Sequence, residues 1–522
     1  MKSSDMLRIV FILPFTIIKE IIIFLVKGHV LNDKTGAEFA KKSDYKKYLN
    51  PYNKGLLVDG HKFKLTPKHS YMHMMIVGRP GTCKTSGFII PNIMEKAKDN
   101  CSLVINDPKG EIHENTSGFL QQNGYKVLVI DVENPDNSAR FNPLLEAKND
   151  MELEQLAEVL ILASGSASQS RGGDDFWNKT AMRYIALHGT ADNTRSGNKT
   201  AMRYIALFLK VLKNVGRENP AYFTLHNLLA LVQNFGDDGQ PLANFMAKYC
   251  TYKHDPNNPK LFNEWLGLIC GNKDGIQSAI LTALTSLRFV TNDNIVKICN
   301  SSDIQLANLR KEKTAIFLVT PPQHSSYYAP FVSIFFKSVF NACMRKMPKN
   351  NDKPIYIFHD EFATSYIPNF TDIANTIRGY NVSISIVLQS IRQLNQRYGR
   401  DTAESIIGGF SSYLTYAGSD LMTTDYFQNM VGVVRERQKK HLTDTIDTYR
   451  EYKLLNSDEI RRMDEHQALF LTRNQNPVIL DIKPYFERGK YLTQIKAGDR
   501  FLQYKQPQSN RTRVDNICFV EL

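Results

Sequence analysis

A glycine-rich segment, residues 78–85, has the residue types that bind the phosphates of a nucleotide. It follows the apolar run MHMMIV (72–77) and precedes a helix-like stretch that begins at Ser86. Strand, glycine-rich turn, Lys-Thr and helix in this order are typical of a P-loop, whose backbone N–H groups surround the phosphates. The predicted nucleotide-binding residues are Gly78, Arg79, Pro80, Gly81, Thr82, Cys83, Lys84 and Thr85.

Three of these residues have individual predicted consequences. Lys84 would reach the β and γ phosphates, and the Thr85 hydroxyl would ligate Mg²⁺, so ATP and Mg²⁺ are the predicted cofactors. The P-loop pattern has glycine where this chain has Cys83. A Cβ there either crowds the phosphates or forces a non-glycine residue into the left-handed conformation, at about 1–2 kcal/mol. This substitution predicts nucleotide binding weakened roughly tenfold, since about 1.4 kcal/mol is a factor of ten.

An acidic pair and two further polar residues are candidates for the chemistry itself. The run PIYIFH (354–359) ends in Asp360 and Glu361. Asp360 could hold Mg²⁺ with its water shell, and Glu361 could polarise the attacking water as a general base. Gln389 ends a later apolar run and could contact the γ-phosphate or orient water, while Arg378 is a candidate charge stabiliser, acting from a neighbouring subunit.

Compact apolar runs separated by helix-length stretches must position these residues. Such runs are typical of buried parallel strands in an α/β sheet. Between the two groups of runs lie about 170 residues with mostly helical patterns, which predict an all-α insertion. The predicted strands are 72–77, 102–107, 126–131, 314–319, 354–359, 382–388 and 468–473.

The N-terminus carries two apolar runs, 9–18 and 21–26, separated by Lys19 and Glu20. Together they approach the length of a bilayer span, but a charge pair in the middle is costly there. A poor single span, an interfacial helix and a helix packed on a membrane partner all fit, and an ordinary buried helix is the alternative.

The sequence NKTAMRYIAL occurs twice, at 178–187 and at 198–207. Two identical copies are too few for a solenoid and too similar for an old repeat. We interpret the second copy as a recent in-frame duplication or a manufactured alteration. The extra residues would lengthen a helical hairpin.

Composition excludes several classes of protein. The chain has 522 residues, 42% of them hydrophobic, which fits a globular protein. Its net charge of +13 is compatible with either a polyanionic partner or an anionic membrane surface. Seven cysteines form no CxxC pair, which argues against a disulfide framework or a zinc finger.

The motifs together resemble the TraG/TraD-like coupling proteins of type IV secretion and conjugation. The resemblance covers about residues 70–480, and its matching stretches are GRPGTCKTSGFIIPN, VINDPKGEI, RFNPL, DFWNKTA, HDEFA, IPNFTDIANTIRGYNVSISIVLQSIRQL and YFQNMVG. It implies a RecA-like P-loop domain with an inserted all-α domain and an N-terminal membrane-associating segment. It also implies a homo-hexamer with ATP sites between subunits, on the cytoplasmic side of a bacterial cell membrane. The implied partners are single-stranded DNA, relaxase or relaxosome proteins and channel subunits.

Gln389 matches the strand-end glutamine of the family. The stretch DPKGE, with Asp107, Lys109 and Glu111, has no role that the sequence alone assigns.

Domain bounds and DNA contacts complete the expectations. Residues 1–35 are assigned to the membrane segment, 36–145 and 311–485 to the nucleotide-binding domain, 146–310 to the all-α domain, and 486–522 to a polar basic tail. DNA contacts are expected at Arg435, Arg437, Lys439 and Lys440, with Lys210, Lys213 and Arg217 as further candidates. The alternatives are a DNA translocase of the FtsK or HerA kind and a hydrolysis-deficient docking protein of the same fold.

Overall fold

The computed structural model describes residues 34–167, 191–250, 259–438, 448–499 and 517. The two apolar N-terminal runs and the first copy of NKTAMRYIAL lie outside the described residues. Within the described part, no helix combines the length and the apolar character that a membrane crossing requires.

Nine of the described strands form one sheet in the order β12-β11-β8-β2-β7-β6-β3-β5-β4. The seven strands from β8 to β4 are parallel, and β11 is antiparallel to both β8 and β12. The bounds are β2 Met74–Val77, β3 Ser102–Asn106, β4 Lys126–Asp131, β5 Thr314–Val319, β6 Ile355–His359, β7 Val382–Leu388, β8 Ser412–Tyr416, β11 Gln467–Thr472 and β12 Val478–Asp481.

Six of the seven predicted strands lie in the parallel part of the sheet. The seventh, predicted at 468–473, is β11, and its parallel orientation was wrong because β11 runs antiparallel to β8. An apolar run buried on both faces has the same composition in either direction, so its residues carry no sign of orientation.

A second, smaller sheet has the order β1-β9-β10, with both pairs antiparallel. Its strands are β1 Lys34–Gly36, β9 Val433–Gln438 and β10 Thr448–Lys453. The Ala37 N–H also donates to the carbonyl of Val433, at 3.0 Å. The first described residues are thus hydrogen-bonded to a segment about 400 positions later in the chain.

The described helices cover both faces of the large sheet. They are α1 Lys42–Tyr45, α2 Pro67–Ser70, α3 Ile90–Lys96, α4 Glu111–Gln122, α5 Pro143–Glu146, α6 Asp150–Ala167, α7 Ala191–Glu218, α8 Leu225–Gln233, α9 Ala243–Cys250, α10 Lys260–Ile269, α11 Lys273–Ser286, α12 Asp293–Cys299, α13 Ser325–Met344, α14 Phe370–Ile377, α15 Ile391–Tyr398, α16 Arg400–Gly408, α17 Leu421–Val431, α18 Ser457–Arg461 and α19 Gly489–Asp499.

Alternate residues of the central strands enter two separate cores. Met74 and Ile76 of β2 pack with apolar residues of α3 and α4 on one face. Met75 and Val77 belong to the core on the other face, which continues into α6, α7 and α13. This alternation follows from the two-residue period of a strand and explains why β2 is apolar at every position.

The described residues between β4 and β5 contain helices α5 to α12 and short 3₁₀ turns, without a strand. Two of the candidate DNA contacts hold this region together. Lys210 of α7 pairs with Glu154 of α6 at 2.7 Å, and Lys213 pairs with Asp150 at 2.7 Å. These ion pairs join α7 to α6. The second copy of NKTAMRYIAL lies within α7.

The beginning of the predicted tail is a helix packed on the core. A Cβ at Gly118 of α4 would lie 2.3 Å from the carbonyl oxygen of Gly498 in α19. The two helices therefore cross at glycines, where their backbones touch. Glu95 of α3 pairs with Lys490 of α19, which ties the tail to the helix that follows the glycine-rich loop.

Candidate nucleotide-binding site

The strand order places the predicted site residues side by side. Strands β2, β7, β6 and β3 are consecutive neighbours and parallel, so their carboxyl ends share one edge of the sheet. The glycine-rich loop leaves β2, Gln389 follows β7, Asp360 follows β6 and Asp107 follows β3. Such an edge is where open α/β sheets bind their ligands.

The loop itself closes tightly over the end of β2. A Cβ at Gly78 would lie 2.7 Å from Thr82 Oγ1 and 2.8 Å from Cβ of Tyr416, so only glycine fits. The Thr82 hydroxyl donates to the Arg79 carbonyl at 2.8 Å. Gly81 has φ = 85°, a conformation that glycine adopts without strain. The helical path then begins with a π turn, Thr85–Ile89, which continues into α3.

Cys83 adopts the left-handed conformation, with φ = 56°. The sequence predicts that a side chain here either crowds the phosphates or adopts the left-handed conformation, and the structure has the left-handed conformation. The left-handed conformation belongs to the folded loop itself, so its cost of about 1–2 kcal/mol falls on the stability of the fold.

This conformation gives a testable expectation for Cys83→Gly. The variant should be more stable than the parent by about 1 kcal/mol, because glycine relieves the left-handed strain but gains entropy in the unfolded chain. Its affinity for inorganic tripolyphosphate should stay within about threefold of the parent's, because the strain is carried by the folded loop and not by its contacts with phosphates. Denaturant unfolding and calorimetric titration measure the two quantities. A rise in affinity of about tenfold at equal stability would show that the Cβ crowds the phosphates instead.

Lys84 is held against the loop. Its ammonium donates to the carbonyls of Gly78 and Arg79, the latter at 2.8 Å. Burial lowers the pKa of Lys84 to about 8, although the negative charges of Asp360 and Glu361 act in the opposite direction. A partly desolvated ammonium with flexible carbonyl partners is well placed to exchange them for phosphate oxygens.

Thr85, after β2, and Asp360, after β6, are in direct contact, although β7 lies between these two strands in the sheet. The Thr85 hydroxyl donates to Asp360 Oδ2 at 3.0 Å, and Asn106 at the end of β3 donates to the Asp360 carbonyl at 2.7 Å. Burial raises the pKa of Asp360 to about 6. A hydroxyl and a carboxylate are the oxygen ligands that Mg²⁺ accepts beside its waters, so this pair fits the predicted metal.

Glu361 and Gln389 lie on the wall of the same cavity. Glu361 has φ = 53°, and its N–H donates to Asp360 Oδ1 at 3.0 Å. Gln389 accepts a hydrogen bond from the Gln393 side chain of α15 at 3.3 Å, which fixes its amide. Both side chains therefore face the space next to the glycine-rich loop.

The cavity has a volume of about 330 Å³. Two charged and two aromatic residues are among the wall residues to which the sequence assigned no role. Lys109 and Glu111 belong to the DPKGE stretch after β3, and Tyr485 and Phe486 belong to a turn after β12. The charged residues of DPKGE could have been assigned to this edge of the sheet from the sequence, because they follow a strand. No local sequence pattern indicates that Tyr485 and Phe486 lie there.

Asp107 has a structural role in the same stretch. It is buried, and its Oδ2 accepts from the N–H of His113 at 2.7 Å, which caps the first turn of α4. Burial raises the pKa of Asp107 to about 7. The Asp107 carboxyl therefore positions α4, and with it Glu111 at the start of that helix.

Arg378 lies at the other edge of the sheet. It is exposed in a turn just before β7, whereas Gln389 follows that strand. Seven residues of extended chain separate the two edges by roughly 20 Å. Arg378 therefore does not contribute to the cavity of its own chain.

Two of the four predicted DNA-contact residues, Arg435 and Arg437, belong to β9 of the small sheet. Arg435 is exposed and pairs with Glu451 on β10 at 2.7 Å. Lys439 and Lys440 lie outside the described residues. The patch therefore includes at least one acidic neighbour.

Comparison with known proteins gives a single family. A family model described as type IV secretory system conjugative DNA transfer matches residues 32–514. VirD4 proteins of Rhizobium rhizogenes and Agrobacterium fabrum are each 22% identical over 439 residues, which is 79% of this chain. The match spans 58% of the length of each of these relatives.

Solved structures show a similar fold. The plasmid coupling protein TrwB with a non-hydrolysable GTP analogue has a TM-score of 0.62 at 13% identity, covering 86% of this chain and 96% of that one. TrwB with ADP and Mg²⁺ has a TM-score of 0.61 at 13% identity, covering 86% and 94%. These similarities confirm the predicted α/β class with a mainly parallel sheet.

Proposed function

Because the chain belongs to the conjugative DNA-transfer family of type IV secretory systems, we propose that it is a coupling ATPase. It recruits relaxase-bound single-stranded DNA to a secretion channel and uses ATP hydrolysis to support transfer. The observation that carries the ATPase part is the contact between Thr85 and Asp360 at the cavity that also holds Lys84 and Glu361.

Each side chain has a role that follows from its place. Lys84 exchanges its loop carbonyls for β- and γ-phosphate oxygens, and the N–H groups of the loop surround the phosphates. Thr85 and Asp360 hold Mg²⁺, which, when bound, neutralises charge on the phosphates. Glu361 accepts a proton from the attacking water, and Gln389 orients that water.

A neighbouring subunit completes the site in this proposal. The candidate charge stabiliser, Arg378, is exposed and lies at the edge opposite its own cavity. It can stabilise the transferred phosphate only in a different subunit, which supports a ring such as a homo-hexamer. Residues 146–310 form the membrane-distal all-α domain, and the N-terminal segment holds the protein at the cytoplasmic side of the cell membrane.

DNA binding is assigned to the patch of Arg435, Arg437, Lys439 and Lys440. Phosphate contacts by such cations give weak sequence preference and strong salt dependence. Hydrolysis by the full chain should rise several-fold with single-stranded DNA. Reversing all four charges to Glu should weaken DNA binding about tenfold or more and flatten its salt slope by about three to four units.

The experiment compares parent and charge-reversed chains by ATP turnover and by fluorescence anisotropy at several salt concentrations. Lys210→Glu with Lys213→Glu is unsuitable as a control because both lysines hold α7. Reversal of Lys41 and Lys42, which are exposed near α1, changes net charge without touching the patch. Equal DNA affinity and salt slope in the patch variant would exclude this patch, and hydrolysis without any response to DNA would exclude the coupling role.

A further inference from the structure

The nucleotide-binding cavity has two chemically different parts. One is polar and consists of the glycine-rich loop with Lys84, Asp360 and Glu361. The other is aromatic and consists of Tyr485 and Phe486, from the 3₁₀ turn that follows β12. A phosphate site alone has no use for apolar rings, because phosphates are bound by charges and N–H groups.

The turn that carries the two rings is fixed against the helix that follows the loop. A Cβ at Gly60 would lie 2.3 Å from the Lys483 carbonyl and 2.7 Å from the Gly87 carbonyl, so three chain segments meet there. The Lys483 N–H donates to the Asp59 carbonyl at 3.0 Å. Ile482 lies against Gly87, where a Cβ would be only 2.6 Å from its Cγ2. The aromatic turn is therefore held at a constant distance from the phosphate-binding loop.

The two rings differ in how they are held. The Tyr485 hydroxyl donates to Asn115 of α4 at 3.2 Å, and its ring is half-buried. Phe486 packs edge-on against Tyr485, with ring centroids 5.6 Å apart, and is 50% exposed. A fixed Tyr485 therefore supports a Phe486 ring with a large solvent-accessible surface at the cavity wall.

We infer that Phe486 is the stacking platform for the base of the bound nucleotide, a purine by preference because of its larger π surface. This assignment rests on the proposed nucleotide site and adds the residue that binds the end of the ligand opposite the phosphates. Stacking of a base on an aromatic side chain is worth about 1–3 kcal/mol, and it tolerates different bases. The cavity thus binds one ligand at both ends, with charge at the loop and with stacking at the turn.

The test separates the two ends of the ligand by using ATP and inorganic tripolyphosphate as probes of the full chain. Phe486→Leu keeps an apolar side chain and removes the ring, and it should weaken ATP binding about tenfold with tripolyphosphate binding unchanged. Phe486→Tyr keeps the ring and should bind ATP as the parent does. Tyr52→Leu is the matched control, because Tyr52 is 91% exposed and is not among the residues that line the cavity.

Phe486→Trp supplies a spectroscopic signal. The chain has only two tryptophans, and Trp265 is buried in the core, so a third at position 486 can be read against a small background. Its emission should be quenched by ATP and unaffected by tripolyphosphate, as stacking requires. The parent chain should show no such difference between the two probes.

The outcomes distinguish this inference from the function on which it rests. A parent chain that binds neither probe would overturn both the nucleotide site and the stacking platform. A parent that binds both probes, with Phe486→Leu equal to it for ATP, would overturn the platform alone. Equal losses of ATP and tripolyphosphate in Phe486→Leu would also overturn it, since they would show damage to the loop instead of loss of stacking.

Discussion

Glu361→Gln is expected to lower the turnover number for ATP by at least about 100-fold, while ATP affinity stays within about threefold of the parent's. A general base contributes about 10²–10⁴-fold, and the amide of glutamine cannot accept the proton at neutral pH. Among the described residues, the Glu361 carboxylate makes no hydrogen bond to the glycine-rich loop, and its neighbour Asp360 remains available for Mg²⁺. Turnover and calorimetric affinity are measured on the same preparations.

The matched control for this variant is Glu404→Gln, on the exposed surface of α16. It makes the same chemical change away from the cavity and should leave turnover as it is. Equal turnover in parent and Glu361→Gln would mean that a different group activates the water. A parent without turnover would favour the docking protein that was considered as an alternative from the sequence.

Lys84→Met is expected to weaken ATP binding by about 100-fold or more and, at the same time, to stabilise the fold at pH 7. The binding loss follows from the removal of a cation that contacts two phosphates. The stability gain follows from the environment of the ammonium, since burial lowers the pKa of Lys84 from its ordinary 10.5 to about 8. At pH 7 Lys84 is protonated in the folded and in the unfolded parent chain. The folded state therefore carries the full cost of the buried charge, about 2 kcal/mol after allowance for its loop hydrogen bonds.

The pH dependence of this difference provides an independent check. Between pH 8 and 10.5 the unfolded parent binds more protons at this residue than the folded parent does, so the stability of the parent rises with pH. Lys84→Met lacks this contribution, and its advantage should shrink across the same window. Lys68→Met, at an exposed lysine in α2, is the control for the same chemical change at the surface. A constant advantage from pH 7 to 10 would contradict the lowered pKa.

Sequence patterns located most of the candidate nucleotide-binding site because each part follows a buried strand. Parallel strands place their carboxyl ends at one edge, so Lys84, Asp360 and Gln389 could be grouped without a structure. The same rule explains why Arg378 lies apart from these residues, since it precedes β7 and so lies at the opposite edge of the sheet. Its position before the strand was visible in the sequence.

Other elements left no local pattern to read. Strand β8 has the sequence SYLTY, whose serine, threonine and tyrosines do not form an apolar run, although every residue is buried. Phe486 lies about 400 residues after the glycine-rich loop, and tertiary contacts such as that of Gly60 with Lys483 and Gly87 bring the two together. Contacts of such sequence separation depend on tertiary packing and not on periodicity.

The small sheet determines where a pull on the beginning of the chain would act. Strand β1 is hydrogen-bonded to β9, and the Ala37 N–H continues the ladder to Val433. Tension applied to residues before Lys34 would therefore load β9 directly, and β9 follows α17, the helix that begins at the site edge beyond β8. If the N-terminal segment is fixed to a membrane, the ladder is a short mechanical linkage between that attachment and the strand that carries Arg435. Traction on DNA held at Arg435 would then reach the membrane through a few backbone hydrogen bonds, without crossing the nucleotide-binding sheet.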